Sequence, residues 1–295
     1  MLYINGEMNI TKATYGNVDC TEKVKSLVKN GQLILRSDNN IVGDPAVGKV
    51  KNLVIDIDGK TYTTNEGKLF VYPSSTNNKL GVFYSNNTNA QTFPAIRASL
   101  KSIQKAAEGK ADILTCMWNH DAENPFTEYI AWTKTTSHLN QLLQIMQLLY
   151  VAKQTGTYDY VSFLEHDVLY PEGYFDYPDV APGTVITNMN YMGINKDGWQ
   201  GVPVKHEPFH QMTMRFDEAI KHCESILENA LVTNSGLIEP QIPNIVRKKW
   251  NCVNPAVHIN HGGHFTSHFS IYSKTDLKQN DNYWGAHKDY LNLFY

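Results

Sequence analysis

From Lys79 onward the chain alternates short apolar runs with longer amphipathic segments, and this alternation limits the folds open to it more than any other feature. Leu80-Gly81-Val82-Phe83-Tyr84 is a continuous apolar run, as expected of a parallel strand covered on both faces. It gives way to the polar Ser85-Asn86-Asn87-Thr88-Asn89. Thr92 then stands where a helix cap belongs, with Pro94 in the first turn. Phe93, Ile96, Leu100, Ile103 and Ala107 form one apolar stripe, and Gly109 stops the helix. Ala111 to Trp118 reads as a second strand. After a polar loop, Thr136 to Lys153 reads as a second helix with Leu139, Leu142, Leu143, Met146 and Leu149 inward and Gly156 at its end. Tyr158 to Leu164 is the third strand. Strands separated by helices join through crossovers, so the expectation is an α/β fold with a Rossmann-type mixed sheet flanked by helices. Further on, Thr184 to Met192 reads as one strand, Asp217 to Ala230 as a helix and Ala256 to Asn260 as a short strand.

The residues before Pro73 follow a different period. Gln32 to Arg36, Lys51 to Ile57, Lys60 to Thr63 and Lys68 to Tyr72 are strand-like, and Asp58-Gly59 is a hairpin turn signal. Thr21 to Lys29 carries Val24, Leu27 and Val28 at helical spacing. Pro73-Ser74-Ser75-Thr76-Asn77-Asn78 has the composition of a linker. The expected division is a small β-rich N-terminal domain over 1–74 and an α/β domain over 75–295.

Composition narrows the functional classes. Among 295 residues, 42% are hydrophobic and 19% charged, and the net charge is -3. That balance lacks the basic excess of a protein that lives on duplex nucleic acid. The most apolar stretch, Leu139 to Ala152, is interrupted by Gln141, Gln144 and Gln147, so no membrane span is expected. Met1 to Glu7 carries neither the basic start nor the apolar run of a secretory signal. Cys20, Cys116, Cys223 and Cys252 are far apart and suggest no disulfide framework. Together these point to reduced thiols and a cytoplasmic protein.

The chemistry concentrates where the third strand ends, at Glu165-His166-Asp167. In an open α/β sheet, ligands bind beyond the carboxyl ends of the strands. Two carboxylates two residues apart at such an end suit a hard cation, Mn²⁺ or Mg²⁺, which bridges carboxylate to substrate phosphate. A nucleotide-sugar is a substrate that uses this help, because its leaving group is a nucleoside diphosphate whose charge a metal stabilises.

Tyr160 to Pro171 as a whole resembles the corresponding segment of GT-A fold glycosyltransferases, in particular family-2-like enzymes of phage and bacterial type. Their Asp-x-Asp signature follows a buried strand, and Glu-His-Asp resembles a variant with Glu in the first place. The resemblance covers Lys79 to Thr266. It implies a GT-A-like domain that transfers a hexose from a nucleotide-sugar, expected here to be a UDP-sugar, with Asp167 on the metal and Glu165 on the metal or the donor ribose. It further implies that Tyr84, Ser85 and Asn86, in the loop after the first strand, hold the donor nucleotide. GT-A enzymes often add one late histidine to the metal, and Asn260-His261-Gly262-Gly263-His264 resembles such a loop. His261 is the expected ligand and His264 the second choice, with a zinc site built from His258, His261, His264 and His268 as the rival reading. Glu207 and His210 lie where the acceptor side of the fold is expected and are the candidate bases for an inverting reaction. Trp118, Asn119 and Asp121 are weaker candidates for the donor pocket. The acceptor is a glycan, a protein or a hydroxylated nucleobase of modified DNA.

Two other classes remain open at this point. A metal-dependent phosphodiesterase or nuclease would use Glu165, Asp167 and histidines to hold two metals, with Asn119-His120-Asp121 as the other contributing group. A non-catalytic carbohydrate-binding protein would use its aromatic residues, 11% of the chain, as stacking surfaces. The front segment, through Ala13-Thr14-Tyr15-Gly16, Asp19-Cys20-Thr21, Asn39-Asn40, Gly43-Asp44-Pro45 and Lys49 to Leu53, resembles a small β-rich module found attached to other domains.

Overall fold

Asp58 and Gly59 both take positive φ, 51° and 77°, which is the backbone of a tight two-residue hairpin. They join β4 (Asn52–Ile57) to β5 (Lys60–Asn65) in register, Ile57 opposite Lys60. A computed structural model describes residues 8–28, 33–72, 77–85, 87–89, 91–135, 137–155, 158–200, 208–233, 245–259 and 283–293 of the chain. Two compact units divide it: Met1–Thr76 with Val151–Thr157, and Asn77–Tyr150 with Tyr158–Tyr295.

In the first unit, β1 (Ile10–Tyr15), β2 (Val18–Asp19), β4 and β5 form an antiparallel sheet in the order β2-β1-β4-β5. β3 (Leu33–Arg36) and β6 (Leu69–Tyr72) make a separate ribbon. Leu53, Ile55 and Ile57 alternate inward along β4, as the period of two requires. The short helix α1 (Thr21–Lys25) ends earlier than its apolar spacing suggests. Tyr15, Asn39, Asp44 and Lys51, conspicuous in the sequence, form one part-buried polar network with Glu66. The Tyr15 hydroxyl lies 2.8 Å from Glu66 Oε1 and 3.1 Å from Asn39 Oδ1, and Lys51 Nζ pairs with Asp44 at 2.7 Å and Glu66 at 3.3 Å. These residues satisfy one another, which accounts for their presence without a ligand.

The second unit is a mixed α/β structure. Its strands are β7 (Lys79–Tyr84), β8 (Asp112–Met117), β9 (Thr127–Ile130), β10 (Tyr160–Glu165), β11 (Val168–Leu169), β12 (Thr184–Asn188), β13 (Tyr191–Asn195), β14 (Gly198–Gln200), β15 (Met212–Arg215), β16 (Val246–Trp250) and β17 (Ala256–Ile259). Its helices are α2 (Phe93–Ala107), α3 (His138–Thr155, of which the residues from Val151 onward belong to the first unit) and α4 (Phe216–Thr233). Seven strands form the main sheet in the order β16-β12-β15-β10-β7-β8-β9. β10, β7, β8 and β9 run parallel, and β15 is antiparallel to both of its neighbours. This is the expected mixed sheet flanked by helices. Phe83, Ile96, Leu100, Ile103, Leu164 and Phe175 lie in its core. Gly81 sits where a Cβ would come within 2.5 Å of Ile113 Cδ1 and 2.7 Å of Leu164 Cδ1. At one edge of the sheet, β16 exposes Val246, Arg247, Lys248 and Lys249. No helix among the described residues is long and apolar enough to cross a membrane.

Three local expectations are corrected. Thr184 to Met192 is not one strand but two, β12 in the main sheet and β13 in a four-stranded sheet of order β11-β17-β13-β14. The break is fixed by Asn188, whose Oδ1 accepts from the backbone of Asn190 at 3.1 Å and of Cys252 at 3.0 Å. Thr92 makes no side-chain cap to α2; its hydroxyl donates instead to the carbonyl of Asn87 at 2.5 Å, tying down the loop after β7. The polar segment after β8 contains β9, which the sequence reading treats as loop.

Candidate active site

β10 is buried along its length and delivers Glu165, His166 and Asp167 at its carboxyl end. The chain then enters β11, which pairs antiparallel with β17, Val168 opposite His258. This pairing brings a residue 91 positions away onto the motif: His258 Nε2 lies 3.1 Å from Asp167 Oδ2, and both side chains are buried. The Ile259 amide donates to the Asp167 carbonyl at 2.7 Å and locks the register.

Glu165 is paired in the same manner. His210, in the short 3-10 turn Phe209–Gln211 before β15, places Nδ1 3.0 Å from Glu165 Oε2. The turn is held by Phe209 stacked on Phe163 at 4.2 Å between ring centroids. Its backbone is held by Tyr170 and Tyr174, whose hydroxyls each donate to the His210 carbonyl at 3.3 Å. The other carboxylate oxygen, Glu165 Oε1, accepts from Gln141 Nε2 at 2.7 Å. The imidazoles of His210 and His258 lie 5.0 Å apart, so the two carboxylate–imidazole pairs stand side by side.

Burial works to raise the pKa of Glu165, and the charge of Asp167 adds to it. The hydrogen bond and charge of His210, with the charge of His166, outweigh both and leave the carboxyl below its ordinary value. A carboxylate can only accept, so in the neutral imidazole tautomer that pairs with Glu165, His210 Nδ1 carries the proton and Nε2 presents a lone pair. Among the described residues that Nε2 is buried without a hydrogen-bond partner. Burial, and then the charge of Glu165, push the Tyr84 hydroxyl well above its ordinary value, so it stays protonated beside the carboxylates.

The donor set suits a hard divalent ion. A separation of 3.1 Å between Asp167 Oδ2 and His258 Nε2 serves as a hydrogen bond and also matches the edge of an octahedron, about 3.0 Å for bonds of about 2.1 Å. Among the described residues no group of three or more His, Cys, Asp or Glu is arranged to hold a metal. Ions of the Mg²⁺ type often take only one or two protein ligands and complete their shell with water and substrate phosphate.

Of the residues singled out in the sequence, Glu165, Asp167 and His210 come together. Tyr84 ends β7 and Ser85 follows it, each almost wholly buried. The Ser85 carbonyl accepts from Gln144 at 3.0 Å and its hydroxyl from Thr88 at 3.2 Å. Asn86, Glu207, His261 and His264 lie outside the described residues. The Asn119-His120-Asp121 group is engaged elsewhere: Arg97 grips Asp121 with two 3.0 Å bonds, and His120 pairs with Glu128. A second metal group from those residues is therefore not assembled with Glu165 and Asp167. The sequence reading places His258 among several candidates without pairing it to Asp167, because only the long-range register of β11 and β17 reveals that partner.

Fold and site together define a mixed α/β protein whose strand-end carboxylates are each matched to an imidazole. No protein-family model matches the chain, and comparison with curated proteins gives no match in sequence. Solved structures with a similar course include a protein assigned as a nucleotide-diphospho-sugar transferase from Desulfovibrio desulfuricans G20, with 13% identity, a TM-score of 0.36, and coverage of 61% of this chain and 84% of that one. Another is a glycosyltransferase involved in the glycosylation of the major capsid of PBCV-1, with 9% identity, a TM-score of 0.37, and coverage of 61% and 92%. A third is the galactosyltransferase LgtC in complex with donor and acceptor sugar analogues, with 9% identity, a TM-score of 0.33, and coverage of 61% and 87%.

Proposed function

We propose that this chain is a metal-dependent glycosyltransferase that moves a hexose from a nucleotide-diphosphate sugar, a UDP-sugar in our reading, to an acceptor hydroxyl on a glycan, a protein or a modified nucleobase. The observation that carries the reading is the side-by-side arrangement of Asp167–His258 and Glu165–His210 beyond the carboxyl end of β10. The two pairs divide the work that sugar transfer demands.

Asp167 and His258 would hold Mn²⁺ or Mg²⁺, which when bound supplies positive charge to the departing diphosphate. Glu165 fixes the orientation and tautomer of His210, as a carboxylate does for the imidazole of a hydrolytic triad. His210 Nε2 is then free to accept the proton of an acceptor hydroxyl, the role of the base in an inverting transfer. The buried tyrosines around Glu165 would limit the access of water, which disfavours hydrolysis of the donor.

Thermal unfolding with nucleotide and metal tests the reading. UDP or GDP with Mn²⁺ is expected to stabilise the protein more than either component alone, by about 2.7 kcal/mol at a hundredfold excess over Kd. Asp167→Ala should abolish that increment with the fold intact. A wild-type protein indifferent to every nucleoside diphosphate with Mn²⁺, and inert toward a panel of nucleotide-sugars, would end the transferase assignment.

A further inference from the structure

Three glutamines interrupt the apolar face of α3 at a spacing of three residues, and each reaches the carboxyl end of a different strand. Gln141 Nε2 donates to Glu165 Oε1 on β10 at 2.7 Å. Gln144 Nε2 donates to the carbonyl of Ser85, just past β7, at 3.0 Å. Gln147 Nε2 donates to the carbonyl of Ile130, the last residue of β9, at 3.1 Å, while its Oε1 accepts from the Cys116 thiol on β8 at 3.7 Å. In the sheet these strands stand in the order β10-β7-β8-β9. Three residues of helix rise about 4.5 Å, close to the 4.7–4.9 Å between strands. A helix passing across the strand ends therefore brings Gln141 to β10, Gln144 to β7 and Gln147 to β8, from which its amide reaches on to the last residue of β9.

Burying an amide costs about 1–3 kcal/mol unless it is hydrogen-bonded, and leucine at these positions would avoid that cost. Two of the three glutamines bind backbone carbonyls and serve the fold. Of the three, Gln141 alone donates to a side-chain carboxyl group. A carboxylate turns readily about its last torsion, whose profile is broad and two-fold. With Oε2 on His210 and Oε1 unheld, Glu165 could swing away and release the ring; Gln141 closes off that motion.

We propose that Gln141 is a positioning residue for the transfer step: its amide, delivered from α3, fixes the Glu165 carboxylate so that His210 is held with Nε2 toward the acceptor. This rests on the reading of His210 as the base. Gln141→Met keeps the length of the side chain and removes the amide, and Gln147→Met makes the same change where only the fold is served. The His210 ring nitrogens are read by ¹⁵N NMR, assigned by comparison with His210→Gln. Wild type and Gln147→Met are expected to show one tautomer with the proton on Nδ1, whereas Gln141→Met shows averaged ring signals. With an active donor, Gln141→Met should lower kcat about 10- to 100-fold and leave the donor KM within twofold, while Gln147→Met lowers the melting temperature and leaves kcat unchanged. An unaltered His210 spectrum in Gln141→Met overturns the proposal, as does an equal loss of kcat in both variants. If wild type turns over no donor, the base assignment fails, and the NMR comparison still decides whether Gln141 positions the pair.

Discussion

At the scale of single residues, charge is handled by close pairing. Arg97 binds both oxygens of the buried Asp121 and reaches Glu123 at 2.6 Å. Burial works to raise the pKa of Asp121, but the Arg97 hydrogen bonds, the Glu123 amide and the charges of Arg97 and His120 hold it below its ordinary value. A carboxyl whose folded pKa is depressed stabilises the protein above the ordinary carboxylate range and loses that contribution as pH falls through the folded value. Arg97→Met is therefore expected to cost about 2 kcal/mol at neutral pH, a figure reduced because Arg97 is partly exposed. The gap from wild type should narrow as pH falls below about 4. Urea unfolding at neutral and acid pH checks this; an equal gap at both would mean that Arg97 acts through its packing on the Phe93 ring.

Among elements, those that depend on local pattern were legible in the sequence. β7, β8, β10, α2 and α3 follow from apolar runs, helical stripes and glycine stops, and Gly109 takes the positive φ that a helix stop favours. What was hidden depends on partners far along the chain. The break between β12 and β13 is set by Asn188 and Cys252, 64 residues apart. The strand β9 is only four residues, Thr-Glu-Tyr-Ile, with no clear period. The site was legible to the same degree: Glu165 and Asp167 are marked by their place after β10, whereas His258 is marked only by strand pairing. The close packing at Gly81 lies at this scale too. Gly81→Ala forces the ends of Ile113 and Leu164 aside and should destabilise by about 1–3 kcal/mol, read as a lower melting temperature. An unchanged melt would show that both side chains rotate away without cost.

For the whole molecule, the described residues include three apolar clusters, a smaller one around Met192, Ile194 and Val257 and two larger ones built from separate stretches of sequence. One draws on Ile10 to Phe70, and the other is led by Phe83, Leu164 and Phe175. Among the described residues β16 and β9 are the outer strands of the main sheet, and β16 exposes Val246 to Lys249. A strand at the edge of a sheet is a place where a strand of a second copy of the chain can approach. On β16 that approach would bring Arg247, Lys248 and Lys249 against the same three cations of the arriving molecule. The repulsion acts within a Debye length, about 8 Å at physiological salt and about 3 Å at 1 M. Light scattering should accordingly show Arg247→Ser/Lys249→Ser protein growing into larger particles at salt concentrations where wild type stays dispersed; identical scattering would assign protection of this edge to something other than charge. A strand that takes no part in the chemistry would then set how densely the protein can accumulate before it begins to self-assemble.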